Sequence, residues 1–113
     1  MVLIEAVIKA YKLDDVREAL NEIGIGGMTV TEVMQTTAKS RKGRSFGGES
    51  LSLTLVPHIK IEIAVSRELT ERIVEAIVLH GSAGKSEEGK IVVKKLDAVI
   101  RIRTGEMDVE ALF

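Results

Sequence analysis

The sequence predicts a single α+β domain in which two helices cover one face of an antiparallel β-sheet. Apolar residues alternate in four segments and recur every three or four residues in two others. These segments follow one another as strand, helix, strand, strand, helix, strand. The chain has 113 residues, of which 45% are hydrophobic, which is enough for one modest core. We therefore expect residues 1–113 to form one domain.

The first strand and the first helix are predicted within the first 24 residues. Apolar residues alternate from residue 2 to residue 9, and one face of this strand carries Val2, Ile4, Ala6 and Ile8. Helical spacing follows in Leu13, Val16, Leu20 and Ile23. Acidic residues Asp14 and Asp15 suit the start of this helix, and Gly24 suits its end.

The remainder of the chain repeats this arrangement. Alternation from Met28 to Met34 predicts a second strand, which a polar segment joins to a third strand. The apolar face of the third strand carries Ile59, Ile61, Ile63 and Val65. The second helix is expected to pack through Leu69, Ile73, Ala76, Ile77 and His80. A last strand is predicted with Ile100 and Ile102 facing the core. The pattern fits a ferredoxin-like βαββαβ sandwich.

The second face of this sheet predicts an oligomer. Two helices cover one face, and the other face must find its own cover. That face is expected to carry Leu3, Val7 and Val99 among charged residues. We therefore expect the sheet to be partly buried against other copies of the chain.

Composition excludes several classes of function. The 16 Lys and Arg residues nearly balance the 17 Asp and Glu residues, so a net charge of -1 gives no general attraction to nucleic acid. Tyr11, Phe46 and Phe113 are the only aromatic residues, too few for an RNA-stacking surface. The sequence contains no cysteine, no secretory signal pattern and no apolar run near the roughly 18 residues of a membrane span. We expect a cytoplasmic protein without direct membrane insertion.

A polar segment from Thr36 to Ser50 joins the two hairpin strands and is far longer than a hairpin requires. It is either a surface loop or an arm that binds a partner. Its candidate contact residues are Lys39, Arg41, Lys42, Arg44 and Phe46. Because its cations repel one another and few apolar groups accompany them, we expect residues 37–50 to be mobile until a partner or ligand orders them.

Two features near the end of the chain suit anion binding. Arg101 and Arg103 lie two residues apart in the predicted last strand, so both side chains would leave the same face about 7 Å apart. Guanidinium groups suit phosphate or carboxylate, but a solvated strand face shows the same spacing. Residues 84–90 combine glycines with two lysines, as phosphate-binding loops and plain turns both do. They are not a P-loop, because Leu79 stands where that motif needs its first glycine.

No catalytic or metal-binding constellation is recognisable. The only histidines are His58 and His80, and no nucleophile, base and orienting group can be assembled from the sequence. His80 lies on the apolar side of the second helix, which favours packing or capping. We expect no enzymatic activity, no catalytic cofactor and no metal ligands.

Five segments together resemble the PII signal-transduction family over almost the whole chain. They are Lys12–Leu20, Gly27–Val33, Ile61–Ile63, Gly89–Ile91 and Val99–Glu106. The resemblance implies a homotrimer whose three intersubunit clefts bind ATP or ADP competitively. It also implies a T-loop at approximately residues 36–51, a B-loop at approximately residues 82–90 and a C-terminal segment at residues 104–113. T-loops of this family dock onto ammonium channels, metabolic enzymes or signalling enzymes.

The resemblance also implies which residues bind the nucleotide. Those expected to meet the adenine and ribose are Gly27, Met28, Thr29, Glu62 and Ala64, and Val7 is also expected to bind the nucleotide. Those expected to hold the phosphates are Gly89, Lys90, Arg101 and Arg103.

Departures from the family pattern affect a second ligand, 2-oxoglutarate. Where the family usually reads glycine, arginine and glutamine, this chain has Thr37, Ala38 and Lys39. That glutamine helps bind the magnesium ion that positions 2-oxoglutarate, and His58 replaces the lysine that pairs with its carboxylate. We therefore expect the usual 2-oxoglutarate response to be absent.

Further departures affect nucleotide preference and modification. Glu87 and Glu88 replace the family's usual glycine and aspartate, which places negative charge near the phosphates. ADP or AMP is therefore expected to be tolerated better than ATP. Leu51 occupies the position of the tyrosine that many bacterial members have uridylylated.

The function expected from this resemblance is a regulatory signalling protein that binds ADP or ATP, or AMP, at intersubunit clefts. It would control a membrane transporter or a metabolic or signalling enzyme through its T-loop. The pathway implied by the family is nitrogen regulation. One alternative is a PII paralogue linked to inorganic carbon or to metal and ion transport, with a small anion such as bicarbonate replacing 2-oxoglutarate. A weaker alternative is a small enzyme on a ferredoxin-like fold.

Overall fold

The computed structural model describes residues 1–40, 51–82 and 89–112. Strands β1 to β4 and helices α1 and α2 occupy, in chain order, β1 Val2–Ile8, α1 Leu13–Ile23, β2 Thr29–Ser40, β3 Leu51–Val65, α2 Thr70–Gly81 and β4 Ile91–Lys95. The strands form one sheet in the order β2-β3-β1-β4, with every neighbouring pair antiparallel. The predicted α+β, ferredoxin-like fold is confirmed.

The core lies between the two helices and one face of the sheet. Strand β1 alternates between buried and half-buried residues along its whole length. Its buried residues face those of β3, so that Ile4 lies opposite Ile63 and Ala6 opposite Ile61. The helices close this face with the buried side chains Val16, Leu20, Ile73 and Ile77. Burial of alternate strand residues on one face confirms the predicted pattern.

Short turns set the directions of the helices. Single 3-10 turns at Ala10–Lys12 and Arg67–Leu69 lead into α1 and α2. Helix α1 ends at Gly24, which has a φ of 100°, a left-handed conformation that glycine adopts without strain. The amide of Ile25 then donates a hydrogen bond to the carbonyl oxygen of Leu20 at 2.9 Å. This ending turns the chain directly toward β2.

The prediction for the last strand is wrong in its position. The strand beside β1 is Ile91–Lys95, whereas Ile100 forms only an isolated bridge with Met107. Residues 102–104 form a turn, and Ile102 is 99% exposed. The edge of β1 is occupied by the apolar run that begins at Ile91. Residues 99–103, with both arginines, therefore lie outside the sheet.

The hairpin of β2 and β3 is longer than the alternation alone predicts. Its ladder continues to the pair Ser40 and Leu51, so residues 36–40 belong to β2. The expected partner-contact residues Arg41, Lys42, Arg44 and Phe46 lie outside the described residues. So do residues 83–88, which include most of the expected B-loop with Glu87 and Glu88. Within the described ranges, neither helix is long and apolar enough to cross a membrane.

We predict that Ile73→Ala lowers the free energy of unfolding by about 2–5 kcal/mol, because it leaves a cavity in the core. Ile73 is completely buried, whereas Leu79 on the same helix is 74% exposed. Leu79→Ala is therefore the matched control, with an expected loss below about 1 kcal/mol. Urea unfolding at one fixed protein concentration measures both changes. Equal losses in the two variants would contradict this assignment of the core.

Candidate ligand-binding site

The face of the sheet opposite the helices brings together residues from three strands. We call it the open face, and define it by Thr29 of β2, Glu62 and Ala64 of β3, and Leu3 and Glu5 of β1. Glu62 lies between Thr29 on one side and Glu5 on the other, and Ala64 lies opposite Leu3. Because alternate residues of β3 enter the core, these side chains lie on the opposite side of the sheet. Three expected nucleotide-binding residues therefore share one surface.

Two carboxylates, those of Glu5 and Glu62, lie side by side on the open face, and one of them is paired with a lysine. Glu5 and Glu62 are cross-strand neighbours, an arrangement that destabilises a sheet when both carboxylates are ionised. Nζ of Lys94 lies 3.4 Å from Oε2 of Glu5 and offsets part of this repulsion. Glu5 is the less exposed partner, with 18% of its side chain accessible compared with 55% for Lys94. A cation thus already compensates one of the two carboxylates.

The segment entering β4 lies very close to β1. The amide of Val7 donates a long hydrogen bond, 3.4 Å, to the carbonyl oxygen of Lys90. A Cβ atom added to Gly89 would overlap with the carbonyl oxygen of Val7. Glycine is required here because the two backbones approach too closely for a side chain. Val7, Gly89 and Lys90, three residues of the expected site, are therefore held together.

The two arginines lie in a separate hairpin formed by residues 99–108. The amide of Asp108 donates to the carbonyl oxygen of Val99 at 2.7 Å, and the amide of Arg101 donates to that of Glu106 at 2.8 Å. Gly105, with a φ of 76°, closes the turn by donating to the carbonyl oxygen of Arg101 at 2.8 Å. Arg103 lies exposed at the tip of this C-terminal hairpin.

Arg101 is held by contacts within its own chain. Its Nη2 atom donates a hydrogen bond to the carbonyl oxygen of Glu110 at 3.1 Å. Its Nε atom lies 3.5 Å from Oε1 of Glu106, an ion pair without a hydrogen bond. The hydroxyl of Thr104 donates to the same Oε1 atom at 3.1 Å. Arg103 forms no hydrogen bond or ion pair with any described residue. Its side chain is therefore less restrained than that of Arg101.

The structure therefore brings the expected site residues together in three groups. Gly27 and Met28 precede Thr29 on the chain entering the open face, and Val7 contacts the segment at Gly89. Within the described residues, Arg101 and Arg103 form no hydrogen bond or ion pair with either group. The prediction that both guanidinium groups leave one face of a strand is wrong, because the two arginines lie outside β4, in a hairpin whose turn spans residues 102–104.

Two contacts around this site were missed by the sequence analysis. The ion pair of Glu5 with Lys94 depends on which strand occupies the edge of β1. The ion pair of Arg101 with Glu106 depends on the tight turn between them. Thr104 and Gly105, both suited to turns, were a usable signal that opposite charges five residues apart could meet.

His58 belongs to β3 and lies on the same side of that strand as Glu62 and Ala64, whereas a groove lies between the helices. His58 is 5% exposed, and its Nδ1 atom lies 3.1 Å from the carbonyl oxygen of Val56. A groove of about 380 Å³ opens between the helices, lined by residues that include Ile23, Arg72 and Leu79. Among the described side chains, no three His, Asp or Glu residues converge to hold a metal ion.

Comparison with known proteins identifies the family. The family model described as "Nitrogen regulatory protein P-II" matches residues 1–106. The chain belongs to the nitrogen regulatory protein P-II family. It is 46% identical over 112 residues to nitrogen regulatory protein P-II of Rhizobium etli, covering 99% of this chain and 100% of that protein. The nitrogen regulatory protein GlnK of Escherichia coli is 40% identical, with the same coverage.

A third P-II protein, from Haemophilus influenzae, is 42% identical over 109 residues, which cover 96% of this chain and 97% of that protein. These matches confirm the resemblance found in the sequence. The matched P-II region includes Arg101 and Glu106 but ends before Glu110. The carbonyl contact from Glu110 to Arg101 therefore lies beyond the part of the chain that the P-II family model describes.

We predict that Gly89→Ala disturbs the contact between β1 and the segment entering β4. Relieving the overlap with Val7 requires a backbone shift, which should lower the free energy of unfolding by about 1–3 kcal/mol. Gly26→Ala is the matched control, because nothing lies within 4 Å of its added Cβ. Thermal unfolding and hydrogen exchange of the Val7 amide measure the effect. A Gly89→Ala protein with unchanged Val7 protection would contradict the close approach.

Proposed function

We propose that this P-II protein is a trimeric regulator that binds ADP or ATP, or AMP, in clefts between its subunits. It controls a membrane transporter or a metabolic or signalling enzyme through the arm at residues 36–51. The observation that carries this proposal is the cluster of Val7, Gly89 and Lys90 beside an open face that bears Thr29 and Glu62. The names of the related proteins support a place in nitrogen regulation.

A second copy of the chain is proposed to complete the site. In one chain, the exposed cation Arg103 has no described link to the cluster around Lys90. Beside it, Ile102 presents an almost fully exposed apolar side chain at the tip of the C-terminal hairpin. Such a tip gains from burial against another molecule, at about 25 cal/mol per Å² of apolar surface. Leu3 and Val7, apolar and half-buried on the sheet, supply further surface for a neighbouring subunit.

The chemistry of the proposed site is recognition without covalent change. Lys90 and Arg103 are exposed cations that suit nucleotide phosphates, and Arg103 can make two parallel hydrogen bonds. Gly27 and Ala64 leave room beside the open face for a flat base. Glu62 offers a carboxylate that can accept hydrogen bonds from ribose hydroxyls. No described group is placed to attack a phosphate, so nucleotide identity rather than turnover would carry the signal.

We predict that Arg103→Ala weakens ADP and ATP binding by about 1.5–3 kcal/mol, the value of one charge-assisted contact. Isothermal titration calorimetry measures this loss. Arg67→Ala is the matched control, because Arg67 is also exposed but precedes α2, away from the open face. Unchanged affinity in Arg103→Ala would remove this arginine from the site. Absence of nucleotide binding by the unmodified protein would overturn the proposed function.

We predict that 2-oxoglutarate neither binds tightly with ATP and magnesium nor changes hydrogen exchange across residues 37–50. His58 lies buried against the carbonyl oxygen of Val56, so it does not present an exposed cation to a carboxylate. The double variant Lys39→Gln with His58→Lys is expected to gain a response. Bicarbonate, titrated in parallel, tests the alternative of a small anion. Tight ATP-dependent 2-oxoglutarate binding by the unmodified chain would contradict the prediction.

A further inference from the structure

Glu106 occupies a position from which its charge acts on Arg101. Its Oε1 atom lies 3.5 Å from Nε of Arg101 and accepts a hydrogen bond from the hydroxyl of Thr104. The amide of Glu106 in turn donates a hydrogen bond to Oγ1 of Thr104 at 3.3 Å. The carboxylate is therefore fixed by its own turn as well as by the arginine. It therefore lies beside Arg101, which the resemblance to the family predicts to hold a phosphate.

The neighbouring acidic groups do not share this position. The Oδ1 atom of Asp108 accepts from the amide of Val99 at 3.4 Å. Glu110 contacts Arg101 through its carbonyl oxygen, which carries no net charge. Among the described contacts, Glu106 alone brings a side-chain carboxylate to the guanidinium of Arg101. The effect of charge on this arginine can thus be tested by changing one residue.

We propose that Glu106 sets the preference among adenine nucleotides by opposing each added phosphate charge. The proposal rests on the proposed function, and it also requires that a nucleotide bound at Arg103 brings its phosphates near Arg101, two residues away on the same hairpin. Such a phosphate would meet a guanidinium whose positive charge Glu106 already offsets. The carboxylate also repels the phosphate directly, and this repulsion grows with the charge of the nucleotide. Glu106 therefore acts against ATP more than ADP, and against ADP more than AMP.

The contact between Arg101 and Glu106 is ionic, so removing the carboxylate can change the position of the Arg101 side chain. Nε of Arg101 is buried without a hydrogen-bond partner, because Glu106 lies too far away for good geometry. The Nη2 contact with Glu110 fixes the other side of the guanidinium. Loss of the Glu106 carboxylate can therefore change both the position of Arg101 and the local charge. The charge effect is reduced by salt and is retained in a variant that keeps the carboxylate, so these two comparisons separate it from a change of position.

The test measures the affinities of AMP, ADP and ATP by calorimetry without magnesium, for the unmodified protein and for Glu106→Gln. The ratio of ATP to ADP affinity is expected to rise about threefold or more in Glu106→Gln, as one carboxylate stops opposing the extra charge. Raising the salt concentration should reduce this difference. Glu106→Asp keeps the charge and should keep the original ratio, even if all three nucleotides bind more weakly.

Asp14→Asn is the matched control for a lost carboxylate. Asp14 pairs with Arg17 at 3.2 Å on the exposed side of α1, and its removal should leave every ratio unchanged. An unchanged ratio in Glu106→Gln, or the same rise in Asp14→Asn, would overturn the inference while leaving nucleotide binding intact. If the unmodified protein binds none of the three nucleotides, the proposed function fails first.

Discussion

The whole architecture depends on the two-residue period of the central strand. Because β1 lies between β3 and β4, each residue that it sends into the core places the next residue on the open face. Shifting the register by one residue would expose Ile4 and bury Glu5. The same pairing that builds the core therefore determines which groups lie on the open face. The core and the candidate site are two sides of one sheet.

The open face differs in character from the core. It combines the apolar residues Leu3 and Ala64 with Glu5, whose charge is paired with that of Lys94. Charges at an interface add less to affinity than to specificity, because wrong registers place like charges together. Such a surface suits association with one defined partner geometry more than general hydrophobic contact. This fits the proposal that copies of the chain meet here around a ligand.

Sequence periodicity predicted the elements whose burial is decided locally. Residues 2–8 alternate and form β1, and the buried positions of both helices follow helical spacing. The last strand was misplaced because two segments, near Ile91 and near Ile100, both carry β-branched apolar residues. Which of them pairs with β1 is a long-range choice that a local pattern does not contain. Because the segment at Ile91 pairs with β1, Ile102 lies outside the sheet and is exposed.

The residues of the candidate site could be predicted from the sequence, but the contacts between them could not. Resemblance to the family identified residues such as Gly89, whose close approach to Val7 the geometry explains. It could not supply the contact between Arg101 and Glu106, since an ion pair across a turn depends on backbone conformation. Nor could it separate the held Arg101 from the exposed Arg103. Side-chain freedom is a property of the folded hairpin rather than of residue type.

The central claim, that two copies of the chain build each nucleotide site, can be tested by mixing two defective chains. Lys90→Ala and Arg103→Ala each remove one proposed phosphate contact. If these contacts come from different subunits, co-expressed mixed trimers should regain about a quarter of their sites in intact form, by random assembly around a closed ring. Calorimetry should then detect a fraction of sites with the original affinity. If every mixed assembly binds as weakly as its parents, each site lies within one chain and the account is wrong.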